Sequence, residues 1–507
     1  MSAAASAQVP YDRLVRAQDE PQNWLTYSGN YAGHRYSRLE QINPQNVAGL
    51  QMAWALQLPS GTSETSPLVV DGVLYLTGPN YAFAIEGRTG RKLWSWNRPL
   101  PERFRMNGFG AVNRGPAVLD DKLYVGALDG VLVALDLATG AERWTASVAD
   151  WHQGYAITVA PLAAAGKVIV GVSGGEAGVR GFLDAYDSQT GRRVWRFYTV
   201  PGAGERGVET WAGDSWRTGG GPTWVTGSFD PESQLLYWGV GNPAPDWNGD
   251  SRLGDNLYTC SLLALDVGTG TLRWHFQFTP HDVHDWDANH VPILFDAKVG
   301  GIARKLIGVA NRNAFYYVLD RTTGAFLSAT PFARQSWNGG FDANGRPKVL
   351  PGSEPTEAGT VVSPNWNGAT LWPSSSFSPR TRMVYVPARD SSARYFKRET
   401  PFEEGAYFLG GGAEHIPFEE HRSAIRALDS VTGALRWEFT LLTPPWAGVL
   451  STAGDLVFSG SDEGLFYALD ARRGTLLWNA RLGGRITANP ISFAIDGRQY
   501  VAIAADR

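Results

Sequence analysis

Short apolar runs alternate along the chain with polar punctuation, a rhythm that predicts strands joined by tight turns rather than long helices. One phrase carries most of the punctuation: alanine and an apolar residue, then Asp or Glu, two residues, Thr-Gly, and a tryptophan after a short, often basic stretch. It occurs as Ala84-Ile-Glu-Gly-Arg-Thr-Gly-Arg-Lys-Leu-Trp94, Ala134-Leu-Asp-Leu-Ala-Thr-Gly-Ala-Glu-Arg-Trp144 and Ala185-Tyr-Asp-Ser-Gln-Thr-Gly-Arg-Arg-Val-Trp195. Further copies end at Trp274, Trp437 and Trp478, the last with Arg473 in place of the threonine. A seventh runs from Val318-Leu-Asp320 through Thr323-Gly324 and has Leu327 near the tryptophan position, while Leu50 to Trp54 reads as the last strand of an eighth.

Each phrase is a hairpin, with Asp and Thr-Gly making the turn and tryptophan opening the next strand. A lone hairpin cannot bury its faces. Stacked radially, such sheets cover one another, and each indole wedged between neighbours contributes about 2–3 kcal/mol of apolar burial. Matching strand signals lie between the phrases, as in Pro67 to Thr77, Pro116 to Gly126 and Gly454 to Gly460. The last segment, Ile486 to Ala504, lacks a closing tryptophan phrase, which the N-terminal strand ending at Trp54 can supply. The prediction is an all-β, eight-bladed β-propeller of residues 24–507 with tryptophan-docking repeats, closed by N- and C-terminal strands and preceded by an extension, 1–23. The distances from Trp195 to Trp274 and from Leu327 to Trp437 exceed what a blade needs, so long loops should emerge there over one end of the ring.

Composition agrees and narrows the function. A chain of 507 residues with 59 Gly, 30 Pro and 20 Trp but 19% charged residues is turn-rich and aromatic, as a ring of short strands requires. A net charge of −4 gives no electrostatic footprint for nucleic acid or an anionic membrane. No apolar run approaches the roughly 18 residues of a membrane span. The small-residue start Met1-Ser-Ala-Ala-Ala-Ser-Ala7 fits either the scar of a removed secretory signal or a plain tail. Cys260 stands alone, which excludes an intramolecular disulfide and a CxxCH haem attachment, so an electron acceptor must be a separate molecule.

A propeller gathers loop residues from many blades at one end of its axis, so polar residues at strand ends are the candidates for chemistry. Glu176 lies in glycine-rich Ser173-Gly-Gly-Glu-Ala-Gly-Val-Arg180, Asn242 in Gly239-Val-Gly-Asn-Pro-Ala-Pro-Asp246, and a polar cluster spans Pro280 to His290. Oxygen donors with little softer competition suit a hard cation such as calcium, although any one such turn reads equally well as a solvated loop. His281, His284 and His290 match none of the common zinc spacings.

Taken together, the tryptophan phrases, Glu64-Thr-Ser-Pro-Leu-Val-Val-Asp-Gly72, Val112-Asn-Arg-Gly115, Gly175 to Gly181, Gly241-Asn-Pro-Ala-Pro245 and Asp285-Trp-Asp287 resemble the quinoprotein methanol and ethanol dehydrogenase family from about Trp24 onward. The resemblance implies a periplasmic alcohol dehydrogenase with pyrroloquinoline quinone in an axial chamber and a cytochrome c as acceptor. It makes Glu176 and Asn242 metal ligands, and Asp285 both metal-adjacent carboxylate and general base. Glu64, Arg114, Thr158, Ser173, Gly174, Gly175 and Arg312 match quinone-binding positions, Trp224 matches the indole beneath the quinone ring, and Trp446 is a further pocket aromatic. These types suit the ligand, since an anionic tricarboxylate wants arginines and a flat ring wants an indole. Asp287 is the aspartate that marks the lanthanide-using branch, where a second carboxylate supplies the charge a trivalent ion needs; calcium is the alternative metal.

Three positions depart from the family pattern. Gly108-Phe109 stands where two adjacent cysteines are usual, His284 replaces the tryptophan before the catalytic aspartate, and Arg389 replaces an asparagine near the quinone. Two other functions fit the same fold: a non-catalytic propeller scaffold of the cell envelope, and a sugar or polyol dehydrogenase. The alcohol stays open, because loops such as Gly340 to Ser363 and Arg398 to Arg422 set the pocket; so does the oligomeric state, a homodimer being compatible with the sequence.

Overall fold

The computed structural model describes residues 8–59, 61–106, 110–417 and 421–506. Each repeat phrase folds as a hairpin. In the second, Val131–Asp136 pairs antiparallel with Glu142–Ser147, with a bulge at Ala134/Leu135. Asp136 Oδ1 accepts the N–H groups of Ala138 (3.1 Å) and Thr139 (2.8 Å) and the Thr139 hydroxyl (2.8 Å), so the turn satisfies its own donors. Gly140 then turns the chain at φ 73°, and a Cβ there would stand 2.5 Å from the Trp94 ring of the preceding sheet. The glycine of Thr-Gly is thus required twice, for its left-handed conformation and as the floor of an indole socket.

That socket repeats around the molecule. Trp94, Trp144, Trp195, Trp274 and Trp437 donate their indole N–H to the carbonyls of Leu137, Ser188, Val267, Arg321 and Ala471 in the following sheet, at 3.0–3.2 Å. Where Leu327 replaces the tryptophan, the Thr330 hydroxyl donates to the Thr432 carbonyl at 2.8 Å, and Thr330 lies against Gly433.

Among the described residues the hairpins form six four-stranded antiparallel sheets and a five-stranded one, in which Tyr36–Ser37 adds in parallel to Leu450–Thr452. Ile491–Ile495 and Arg498–Ala502 make a two-stranded sheet. Inner strands such as Lys122–Ala127 are buried throughout, whereas outer strands such as Glu142–Ser147 alternate between exposed and half-buried positions. The core therefore lies between sheets and toward the axis, the layering of a β-propeller.

The N-terminal strand expected at Leu50 to Trp54 is not one: residues 50–58 form no ladder. They run beside Arg498–Ala502 across a cleft of about 730 Å³. Indole docking fixes this stretch instead, with Trp478 donating to the Leu50 carbonyl (3.1 Å) and Trp54 to that of Gly87 (2.9 Å). The two long spacings hold the predicted elaborations. Short helical turns, Val208–Thr210 and Ser215–Thr218, lie in the first, and the second carries a hairpin and a sheet of Thr360–Val362, Ala393–Lys397 and Gly411–His415. Among the described residues no helix is long and apolar enough to cross a membrane.

Candidate active site

The candidate residues occupy equivalent places in successive sheets, just before an inner strand or just after the next one. Arg114 precedes Ala117–Leu119, Thr158 precedes Leu162–Ala164, and Ser173 follows Lys167–Gly171. Trp224 precedes Ser228–Asp230, Asn242 follows Leu235–Gly239, Asp285 precedes Ile293–Val299, and Arg312 follows Ile302–Ala310. This common position brings residues distant in sequence to one end of the propeller.

Two groups form there, joined by Trp224. In the first, the buried Arg114 guanidinium pairs with Glu64 at 2.6 Å and donates to the Thr158 hydroxyl at 2.7 Å, which in turn bonds the Ser173 hydroxyl at 2.7 Å. Burial pushes the Glu64 carboxyl up, and Arg114 draws it back. Arg114 also lies 4.5 Å over the half-buried Trp224 ring, whose N–H donates to Asp287 Oδ2 at 3.2 Å. Trp224 is therefore not another wedge between blades, since its N–H goes to a carboxylate rather than to a neighbouring turn. Gly174 turns at φ 121°, and a Cβ on Gly175 would press on Pro222 at 3.0 Å and approach Asn242 Oδ1 at 3.5 Å, which explains the glycine pair before Glu176.

The second group is acidic. Asp287 Oδ1 accepts the Asn242 backbone N–H at 2.7 Å, and Oδ2 accepts from Arg312 Nη1 at 2.7 Å. Arg312 Nη2 bonds Asp285 Oδ2 at 3.2 Å. Asp285 sits at φ 61°, a left-handed conformation that an aspartate tolerates better than most residues. The turn is held by buried Asp282, which accepts the N–H groups of His284 (3.3 Å) and Trp286 (3.0 Å). His284 stacks on Trp286 at 4.2 Å, with Nδ1 at 4.0 Å from Asp282 Oδ1 and Nε2 at 2.7 Å from the Ser353 carbonyl.

Burial drives the electrostatics. It pushes Glu176 up to about 7, with Asp287 adding to the rise. It holds Asp285 well above the usual carboxylate range; Arg312 opposes this, while Asp287, Asp246 and Glu176 reinforce it. Asp287 is raised by the same burial and eased by Arg312. Asp246, only quoted as the end of a motif in the sequence, joins the set: it is 1% exposed, its Oδ1 has no partner, and burial followed by Glu176 and Asp287 pushes it far up. Its place after Pro-Ala-Pro on the Asn242 loop was the available signal.

Glu176, Asp285 and Asp287 thus share one buried field with Arg312, which bridges the two aspartates, and Asp246 joins it with buried Arg252 as its own counter-charge. Among the described residues no three His, Cys, Asp or Glu side chains stand close enough to hold a metal ion as placed, and Arg312 spans Asp285 and Asp287. The charge excess and the unpartnered Asp246 Oδ1 nevertheless fit a hard, multivalent cation, which would take over part of what Arg312 does.

Trp446 lies in a third cluster beside these. It stacks on Trp372 at 4.8 Å and 16°, under the Arg389 guanidinium at 4.0 Å. Backbone bonds tie the cluster to Arg312: Ala369 N–H donates to the Arg312 carbonyl, and Arg389 N–H to the Ala369 carbonyl, at 2.9 and 2.8 Å. Gly108 and Phe109 lie outside the described residues.

The family model described as glucose/ethanol/alcohol dehydrogenase, β-propeller domain (PQQ) matches residues 24–331. A model described as outer membrane protein assembly factor BamB matches residues 421–507. The quinoprotein alcohol dehydrogenase PedH of Pseudomonas putida KT2440 is 38% identical over 534 residues, covering 100% of this chain and 89% of its own. The lanthanide-dependent methanol dehydrogenase of Methylacidiphilum fumariolicum SolV is 36% identical over 527 residues, covering 97% and 86%. The solved structure of the quinohemoprotein alcohol dehydrogenase ADHIIG from Pseudomonas putida HK5 superposes with a TM-score of 0.93 at 38% identity, covering 100% of this chain and 79% of that one. With a matching family model over most of its length and relatives aligned end to end, this chain belongs to the PQQ-dependent alcohol dehydrogenases, the quinoproteins built on a β-propeller.

Proposed function

We propose that the protein oxidises a primary alcohol to its aldehyde at the axial chamber, with pyrroloquinoline quinone and one multivalent cation as its resident groups. The observation that carries this reading is the gathering of Glu176, Asp246, Asp285 and Asp287 in one buried field, with Arg312 bridging the last two, linked through Trp224 to the Arg114–Glu64 pair. When bound, the quinone would supply a hydride acceptor for the alcohol carbon and the cation would supply Lewis acidity.

Glu176, Asn242, Asp285 and Asp287 hold the cation, and Asp287 supplies the extra negative charge that favours a lanthanide over calcium. Asp285 receives the alcohol's hydroxyl proton; burial raises its affinity for that proton, and Arg312 keeps the carboxylate oriented at 3.2 Å. Arg114 and Arg312 counter the tricarboxylate, Thr158, Ser173, Gly174 and Gly175 line its edge, Glu64 positions Arg114, and Trp224 and Trp446 offer ring faces. A cytochrome c would be the electron acceptor, in keeping with the quinohemoprotein relatives. The periplasm is the matching compartment.

The same reading makes residues 24–507 an eight-bladed ring. It is supported by the indole bonds from Trp478 to Leu50 and from Trp54 to Gly87, which carry the docking pattern across the junction of the last and first sheets. The scaffold alternative gains little from the BamB match, because residues 421–507 contain the repeat and, of the candidate site residues, Trp446 alone.

Reconstitution with the quinone plus calcium or lanthanum, followed by assay of primary alcohols, sugars and polyols with an artificial dye acceptor, tests the proposal. The expected result is a quinone absorbance band and primary-alcohol oxidation, stronger with lanthanum. A protein that takes up no quinone under either metal would end it.

A further inference from the structure

Arg389 lies on the strand Met383–Asp390, 5% exposed, and makes no ion pair among the described residues. Of its three guanidinium nitrogens, Nη2 donates to the Asn367 carbonyl at 3.1 Å, while Nε and Nη1 have no partner. Its central carbon stands 4.0 Å from the centroid of the Trp446 ring, on which Trp372 is stacked at 4.8 Å. The neighbouring buried cation is Arg312, bound to the opposite side of the Ala369 backbone. A buried charge without a counterion is costly, and one beside another cation more so. Burial, with Arg312 adding to it, pulls this guanidinium down to about 9, a measure of how little in the protein compensates it. The apolar stack and the single carbonyl fix the group's position without neutralising it, which leaves its charge open to an anion from outside the chain.

We infer that Arg389 is a cofactor-binding residue, its two unpartnered nitrogens, Nε and Nη1, supplying the counter-charge for an anionic oxygen of the bound quinone. The inference rests on the chamber being the quinone site. Trp446 and Trp372 act as positioning residues that hold the fork in place, and the planar guanidinium is suited to a carboxylate in a way an ammonium is not. Arginine at this position also gives the chamber three buried guanidinium groups, Arg114, Arg312 and Arg389, to set against a tricarboxylate.

The test is equilibrium binding of pyrroloquinoline quinone, read by its absorbance and by quenching of tryptophan fluorescence, in wild-type, R389Q and R389K proteins saturated with lanthanum. R389Q should raise the quinone Kd tenfold or more, and R389K threefold or more. The trimethyl ester of the quinone should bind wild-type and R389Q alike, because its carboxylates are neutral. Melting of the quinone-free proteins separates binding from folding: R389Q should melt no lower than wild-type, since it removes an uncompensated charge. Equal Kd values for the free acid in wild-type and R389Q would overturn the inference, as would an ester that distinguishes them as strongly as the acid does. Should R389Q not fold, the R389K and ester arms decide in the same way. A wild-type protein that binds no quinone would instead overturn the functional reading itself.

Discussion

Aspartates in the blade turns and aspartates in the axial chamber are the same residue in opposite situations. In a turn, Asp187 accepts the N–H groups of Gln189 and Thr190 and the Thr190 hydroxyl at 2.8–3.1 Å, and those bonds hold its carboxyl below the usual range. In the chamber, burial holds Asp285 and Asp246 far above it, with too few donors and one another's charge as neighbours. The turn is complete within its own few residues, so it builds structure. The chamber leaves buried carboxyls short of donors, and shortfalls of that kind gather at functional sites.

The sharpest way to break this contrast is to disarm the chamber while sparing the blades. Asp285→Asn should lower kcat about a thousandfold, with quinone uptake by absorbance unchanged; retained turnover would remove Asp285 as the base. Asp287→Ala comes next: lanthanum-supported activity should drop about a hundredfold, while calcium-supported activity changes less. Parallel losses under both metals would show that Asp287 does not select the ion.

On the blade side, Trp144→Ala empties a socket and forfeits an N–H bond to Ser188, and denaturant unfolding should show a loss of about 2–3 kcal/mol. Its kcat at low temperature should stay near wild-type, so an equal fall in activity would mean that the two regions are not separable.

The smallest effect is on pH. Glu176, raised to about 7 from the ordinary 4.5, binds more protons in the folded state than unfolded between those values. Its contribution to the stability of the metal-free protein is full below about 4.5 and lost as pH rises through 7. The melting temperature of the metal-free protein should therefore fall by a few degrees from pH 5.5 to 7.5, and lanthanum should flatten that slope by holding the carboxylates ionised. Identical slopes with and without lanthanum would sever Glu176 from the metal site.

Most of the architecture was legible in the chain. The Asp, Thr-Gly and tryptophan of each phrase specify a turn, a left-handed glycine and its socket within a dozen or so residues, so local chemistry sufficed. The expected strand at Leu50 to Trp54 failed for the opposite reason: its ladder depends on a partner at the far end of the chain, and docking of two indoles holds the stretch without one. Within the site, Glu176, Asn242, Asp285 and Asp287 stood out through their motifs, whereas Asp246 had only its place after Pro-Ala-Pro as a signal, which does not tell a buried aspartate from one that caps a loop.

The sequence by itself determined the repeat, the sheet hairpins and the kinds of side chain available at strand ends, since each depends on neighbours a few positions away. Only the tertiary structure decided which of those side chains meet, that Arg312 bridges Asp285 and Asp287, and that Arg389 is buried without a counterion. Closing the sheets around an axis sets distances between residues far apart in the chain and excludes water between them, and a charge becomes unsatisfied only once water is gone.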